Sequence, residues 1–261
     1  MDPVAFNIGD FSIRWYGILI GLGALVGMLL AYYNAKKLKL DFDIILDGFL
    51  IAFPCAIIGA RAYYVFFEFD NFRNNILSIF NLRTGGLAIH GGLIGAFIST
   101  MIYCKVKNIK MIKYLDIAAP SIILAQAIGR WGNFMNGEAH GDKVTYEFIS
   151  KFPEFIQKGM YIDGYYYNPT FFYESLWNLF VFILLMVILY KKRKNEDGLV
   201  ISSYLILYSL GRFFIEQLRT DSLMIVNIRV AQFMSIMGIL IGIVCIVYIK
   251  LHKNKNVESV V

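Results

Sequence analysis

Apolar residues along this chain come in long blocks, and short polar clusters separate them. The first block runs from Trp15 to Asn34 and the second from about Ile44 to Phe67, the latter carrying Asp47, Pro54 and Arg61. A third, Gly85 to Cys104, opens on Gly85-Gly86-Leu87-Ala88-Ile89-His90-Gly91-Gly92. Leu115 to Met135 forms the fourth, Asn168 to Tyr190 the fifth, Leu199 to Leu218 the sixth and Ile228 to Leu251 the seventh. A helix rises about 1.5 Å per residue, so blocks of about 20 residues match a hydrocarbon core of about 30 Å. The pattern therefore predicts an all-α polytopic membrane protein of about seven transmembrane helices, organised as a single transmembrane domain over residues 1–261. In the first span Gly17/Gly21 and Gly23/Gly27 lie four apart, a spacing that lets a neighbouring helix come close.

Outside the spans the pattern is mixed. Met1 to Arg14 reads as a short segment lying in the membrane interface. One sizeable insert, residues 138–167, separates the fourth and fifth spans. It holds Asp142, Lys143, Glu147, Lys151, Glu154, Lys158 and Asp163, then Tyr165, Tyr166 and Tyr167. That mix suits a small water-facing cap whose aromatics reach the headgroup layer. About 30 residues cannot bury an independent core without staples, so a second soluble domain is not expected. No internal repeat or low-complexity stretch is evident.

Composition agrees with the pattern. Hydrophobic residues make up 58% of the chain and mean hydropathy is +0.58, too apolar for a soluble domain of 261 residues. The net charge of +6 is explained by where the basic residues fall and does not point to nucleic acid. Cys55, Cys104 and Cys245 stand alone inside apolar blocks and read as small hydrophobes. A removable signal peptide is not expected, because Asp2 and Asp10 stand where a basic leader would be and no small-residue cleavage site precedes Trp15.

Charge also predicts orientation. Lys36, Lys37, Lys39, Lys105, Lys107, Lys110, Lys113, Lys191, Lys192, Arg193, Lys194, Lys250, Lys253 and Lys255 all fall on one side of a seven-span arrangement. Basic loops stay inside, so that side is cytoplasmic, with the N-terminus outside, the C-terminus inside and the cap periplasmic. The outer face holds few lysines but most of the arginines. They need another explanation.

The polar cluster Gly129-Arg130-Trp131-Gly132-Asn133-Phe134-Met135-Asn136-Gly137-Glu138-Ala139-His140-Gly141 sits where the fourth block gives out. Polar groups at the rim of a span are costly unless they face protein, water or a ligand, so the cluster is a candidate site. The plainer alternative is a capped helix end whose asparagines satisfy loose carbonyls. On the predicted topology the outer ends gather Tyr16, Arg61, His90, Arg130, Asn133, Asn136, Glu138, Arg212, Glu216 and Arg219. Arg212, Glu216 and Arg219 share one helix face by their spacing. Arginine's fork matches phosphate oxygens two at a time, and the phosphates at headgroup depth belong to lipids. Glu216 could equally be an internal ion-pair partner. His90, flanked by glycines, is a candidate proton acceptor near pH 7 or, alternatively, a hydrogen-bonding partner between helices. His140 and His252 lie elsewhere in the chain, and no HExxH, P-loop or dinucleotide fingerprint is present. No metal or other cofactor is expected.

Read as G-R-x-G-N-F-x-N-G-E-x-x-G, Gly129 to Gly141 resembles the signature of the prolipoprotein diacylglyceryl transferase family. Arg14-Trp15-Tyr16-Gly17, the Gly85–Gly92 stretch and Asp116-Ile117-Ala118-Ala119-Pro120 also resemble the family, in the same order. So do Asn168-Pro169-Thr170 with Tyr173-Glu174, and Gly211-Arg212-Phe213 with Glu216 and Arg219. His140 departs from the pattern, since related sequences often carry an aromatic there. The resemblance implies a bacterial cytoplasmic (inner) membrane enzyme with seven spans and a periplasmic cap. Its substrates would be phosphatidylglycerol and a preprolipoprotein signal peptide with a lipobox cysteine, and its products a thioether and glycerol phosphate. The family's essential positions fall on Tyr16, His90, Arg130, Asn133, Glu138, Gly141, Arg212 and Glu216.

With that chemistry, His90 is the candidate thiol base, although a carboxylate could also take the proton. Arg130 and Arg212 would stabilise the charge on the leaving glycerol phosphate. Asn133 and Tyr16 would position by hydrogen bonds, and Glu138 and Glu216 would orient the arginines. Asn136, Gly141, Arg219 and Arg61 complete the expected binding residues. A secondary transporter would instead show an inverted repeat and a midplane site. A phospholipid-binding scaffold would have arginines but no use for His90.

Overall fold

The computed structural model describes residues 2–9, 11–73, 75–81, 85–193, 195–222, 224–225 and 228–258. Asp10, Lys194 and Val261 lie outside the described residues. The chain opens with an antiparallel hairpin, β1 (Val4–Ile8) and β2 (Phe11–Arg14), in the segment expected only to be mixed. Then come the helices α1 (Trp15–Lys37), α2 (Phe42–Phe67), α3 (Ile89–Val106) and α4 (Met111–Asn136). The insert contains β3 (Lys143–Val144), α5 (Tyr146–Ile149), α6 (Glu154–Gly159), β4 (Tyr161–Ile162) and β5 (Tyr165–Tyr167). After it follow α7 (Thr170–Lys191), α8 (Leu199–Gln217), the hairpin β6 (Met224–Ile225) and β7 (Ile228–Arg229), and α9 (Val230–Glu258). Among the described residues seven helices are long and apolar enough to cross a membrane, as the hydrophobic blocks predict. The third starts later than its apolar block: Gly85 and Gly86 have φ of 80° and 76°, and α3 begins at Ile89.

The chain packs as two compact units, Ala35–Tyr114 and, separately, Met1–Asn34 with Leu115–Val261. In the first, Asp41 caps α2 by accepting from the Asp43 amide at 2.9 Å. The backbones of α2 and α3 touch directly, with Gly59 against Gly91 and Gly95 against the Cys55 carbonyl. A methyl group at any of these glycines would meet the facing carbonyl, which is why small residues make this contact. Asp47, a charge inside an apolar helix, accepts from the Tyr103 hydroxyl at 2.9 Å.

In the second unit α1 packs on α4 at Gly23 and Gly27, which face the Ala125 and Ser121 carbonyls, whereas Gly17 and Gly21 face open space. At the lysine-bearing ends the Tyr190 hydroxyl donates to buried Asn34. Asp116, fully buried on α4, accepts from the Gly198, Val200 and Ile201 amides at 2.8, 3.0 and 3.0 Å. A carboxylate thereby serves the unpaired donors at the start of α8 from a different helix. Lys192 completes the arrangement at 2.6 Å from Asp116, so this half-buried lysine is an ion-pair partner rather than a free loop charge.

The insert folds as a three-stranded sheet in the order β3-β5-β4, and its tyrosine run is the central strand. Asp163 and Gly164, both at positive φ, form the two-residue turn between β4 and β5 that an Asp-Gly pair favours. Its apolar centre is Ile149, Ile156 and Met160 packed on Phe134 from α4 and Phe171 from α7. The insert therefore borrows its core from two spans.

Candidate active site

In the larger unit, α4, α7 and α8 bring four charged side chains together at the ends opposite the lysines. Arg130 Nη2 lies 2.5 Å from Glu174 Oε1. Arg212 Nη1 donates to both Glu174 oxygens, at 3.3 and 3.2 Å, and its Nη2 lies 2.7 Å from Glu216. The carboxylates sit deepest, at 4% and 3% side-chain exposure for Glu174 and Glu216, with Arg130 at 19% and Arg212 at 17%. Two positive and two negative charges cancel, which lowers the cost of holding them at the end of apolar spans. Of the four side chains, the two arginines are the more exposed. Glu174 is the shared partner and was not among the residues expected from sequence to form the site. Its signal was present, a carboxylate one turn into the apolar run of α7, but spacing alone does not tie it to Arg130.

The neighbouring asparagines are organised by a strap after α4. Gly137, at φ 64°, ends the helix in the left-handed cap that glycine favours, and the Glu138 amide donates to the Asn133 carbonyl at 3.1 Å. The asparagine side chains are thus not needed for capping. Asn133 and Asn136 Nδ2 both donate to Glu138 Oε1, at 3.0 and 3.2 Å. Glu138 holds asparagines here, where it was expected to orient an arginine. Asn136 Oδ1 is buried with no hydrogen-bond partner among the described residues.

The strap is tied down on both sides. Thr170 donates to the Ala139 carbonyl, the Gly141 amide to Asn168, and Gly141 bridges Arg219. A methyl group at Gly141 would lie 2.6 Å from the Leu218 carbonyl, so the close approach of these backbones needs glycine here. The His140 ring packs at a tilt against Tyr167 with ring centroids 4.2 Å apart, filling an aromatic slot as an aromatic residue would. Tyr16 packs its ring on Gly132, where a methyl group would come within 2.9 Å of it.

Arg219 departs from expectation. It lies past the end of α8, and its Nε and Nη2 grip Asp221 with two bonds of 2.9 Å. Asp221 already occupies the fork expected to bind substrate. Burial pushes the Asp221 carboxyl up, but the hydrogen bonds and charge of Arg219 outweigh it and hold the group below its usual value. Arg229 donates to the Glu216 carbonyl. An apolar cleft of about 310 Å³, lined by Tyr173, Trp177, Leu210, Gly211, Phe214 and Ile215, adjoins Glu174 and Arg212 in sequence.

Arg61 and His90 belong to the other unit. Arg61 is buried and donates from Nε to Ile79 O at 2.7 Å, from Nη1 to Gly85 O and Gly86 O at 2.7 and 3.0 Å, and from Nη2 to Ser78 O and Asn81 O at 2.8 and 3.1 Å. A guanidinium has five N–H donors, so none remains for a phosphate. Arg61 was expected from sequence to bind substrate; here its guanidinium is held by backbone carbonyls. His90 lies half-buried in the first turn of α3, with its ring 6.2 Å from that of Tyr63. Among the described residues no three of His, Cys, Asp or Glu converge as a metal site requires.

A family model described as prolipoprotein diacylglyceryl transferase matches residues 3–248. The chain is 64% identical over 260 residues to phosphatidylglycerol–prolipoprotein diacylglyceryl transferase 1 of Clostridium perfringens, covering 100% of this chain and 99% of the relative. A Clostridium kluyveri protein named phosphatidylglycerol–prolipoprotein diacylglyceryl transferase is 61% identical over 258 residues, covering 99% of this chain and 100% of its own. One of the same name from Clostridium botulinum strain 657 is 58% identical over 243 residues, 93% of this chain and 96% of its own.

Proposed function

The chain belongs to the prolipoprotein diacylglyceryl transferase family, and from that membership we infer that it transfers the diacylglyceryl group of phosphatidylglycerol to a prolipoprotein. It is a multi-pass membrane transferase acting at the first step of lipoprotein maturation. The acceptor is the lipobox cysteine of the signal peptide. A base removes the thiol proton, the thiolate sulfur forms a bond to the glycerol carbon, and the carbon–oxygen bond to phosphate breaks. Glycerol phosphate leaves with that electron pair, and a thioether remains.

The observation that carries the assignment of roles is the bridging of Arg130 and Arg212 by one buried carboxylate, Glu174. Two guanidiniums fixed on a common partner need no reorganisation when charge grows on a leaving phosphate, and preorganised donors of that kind act strongly where water is scarce. Arg130 and Arg212 are therefore assigned to the lipid phosphate. Glu174 and Glu216 hold them, and Asn133, Asn136 and Glu138 form the polar rim beside them. Tyr16 stands next to that rim through its contact with Gly132. The apolar cleft along Tyr173, Trp177 and Phe214 suits an acyl chain. His90 is assigned the thiol proton.

The basic clusters favour a cytoplasmic C-terminus, which puts the arginine cluster and the cap on the periplasmic side of the bacterial inner membrane. The test of function is incubation of the purified protein with phosphatidylglycerol and a lipobox peptide. A mass gain of one diacylglyceryl unit on the cysteine is expected. Lipid binding without product would favour a scaffold instead. In the same assay His90→Gln should lose about 100- to 10,000-fold in turnover, the usual range for a general base, with lipid binding retained.

A further inference from the structure

Arg61 delivers all of its donors to two short segments, residues 78–81 and 85–86, and the second leads directly into His90. The carbonyls it holds belong to Ser78, Ile79, Asn81, Gly85 and Gly86. Its guanidinium carbon also lies 5.1 Å from the Phe72 ring centroid, so the charge is packed as well as bonded. Gly86 sits at φ 76°, and a methyl group there would come within 2.6 Å of Arg61 Nη1. Two residues later the Ala88 amide donates to the Ala60 carbonyl at 3.1 Å. Ala88 is the N-cap of α3 and offers no side-chain cap, so the start of that helix is set by these contacts with α2. His90 follows in the first turn, and Gly91 presses its backbone onto Gly59 and Tyr63 of α2.

We propose that Arg61 is a positioning residue for the transfer reaction, acting through His90. The clamp fixes where α3 begins and so fixes the direction in which the imidazole leaves the backbone. This rests on the reading of His90 as the thiol base. Lysine retains the charge but has three donors on one nitrogen, and it cannot span five carbonyls set around a planar fork. Arg61→Lys therefore loosens the clamp without leaving an apolar hole. A displacement of about 1 Å in a reacting group is enough to cost on the order of 100-fold in rate.

The experiment is steady-state turnover with phosphatidylglycerol and a lipobox peptide for the full chain, Arg61→Lys, His90→Gln and the double variant, with residual rates read by peptide mass after long incubation. Arg61→Lys is expected to lose about 10- to 100-fold in kcat at unchanged KM for the lipid. In the His90→Gln background the same substitution is expected to cost nothing further. Gly86→Ala, which disturbs the clamp from the loop side, is expected to repeat the pattern and carries the test if Arg61→Lys does not fold. A raised KM at unchanged kcat would overturn the proposal by returning Arg61 to lipid binding. Wild-type turnover in Arg61→Lys, or a loss that multiplies fully in the His90→Gln background, would also overturn it. Wild-type turnover in His90→Gln alone is a separate failure: it removes the base reading first, and positioning through His90 with it.

Discussion

Glu174 on α7 stands 2.5 Å from Arg130 on α4, and the same carboxylate receives two hydrogen bonds from Arg212 on α8. Three spans are thus joined at one buried acid. Glu174→Gln keeps the shape but leaves Arg130 and Arg212 short of one negative charge. Removing one partner of a buried pair typically costs about 3–5 kcal/mol, and this variant should fall toward that range. A clearly lowered Tm in detergent and a loss of turnover are expected together. Adding Arg130→Gln should recover part of the Tm by cancelling the stranded charge, but none of the turnover. Wild-type Tm in Glu174→Gln would mean that the bridge carries no stability.

Orientation gives a second expectation. A reporter inserted near Gly159 in α6 should read periplasmic, and one fused after Val261 should read cytoplasmic. The matching reading on both sides of the membrane, a periplasmic C-terminus with a cytoplasmic Gly159, would reverse the charge rule for this chain.

The third concerns pH. Asp221 is held below its usual value by Arg219, against the upward push of burial. A depressed carboxylate adds stability above its unfolded value and loses it as pH falls through the folded one. The pair is partly exposed, with Asp221 at 44%, so the effect is modest. The Tm gap between the wild type and Asp221→Asn should be constant from pH 7 to 5 and close below about pH 4. A gap that widens toward acid would contradict the assignment.

The spans were legible because hydrophobic blocks of the right length have few other uses, and all seven are helices among the described residues. The hairpins were not, because β1 with β2 and β6 with β7 are too short to show an alternation that stands out from loops. The Asp163-Gly164 turn did carry a readable signal, obscured by treating the tyrosines as headgroup anchors when Tyr165–Tyr167 is a strand. At the site, sequence could place Arg212 with Glu216 by helical spacing, and the structure pairs them. It could not rank the arginines. Arg130, Arg212, Arg219 and Arg61 look alike in sequence, but Asp221 takes the fork of Arg219 and five carbonyls take that of Arg61. Such partners come from chain segments whose approach no local pattern encodes, and the same holds for Asp116 reaching the start of α8.

The most direct measurement is turnover of detergent-purified Arg130→Lys and Arg212→Lys alongside their unfolding midpoints. Lysine keeps each charge and most of each ion pair with Glu174 and Glu216, but it removes the two-pronged geometry that suits a phosphate. Loss of one donor aimed at developing charge commonly costs about 100- to 1,000-fold in kcat. Both variants are expected to lose turnover on that scale while their Tm stays close to the wild type. Wild-type turnover in both would contradict phosphate recognition at these positions and leave the arginines as ion pairs that join the helices.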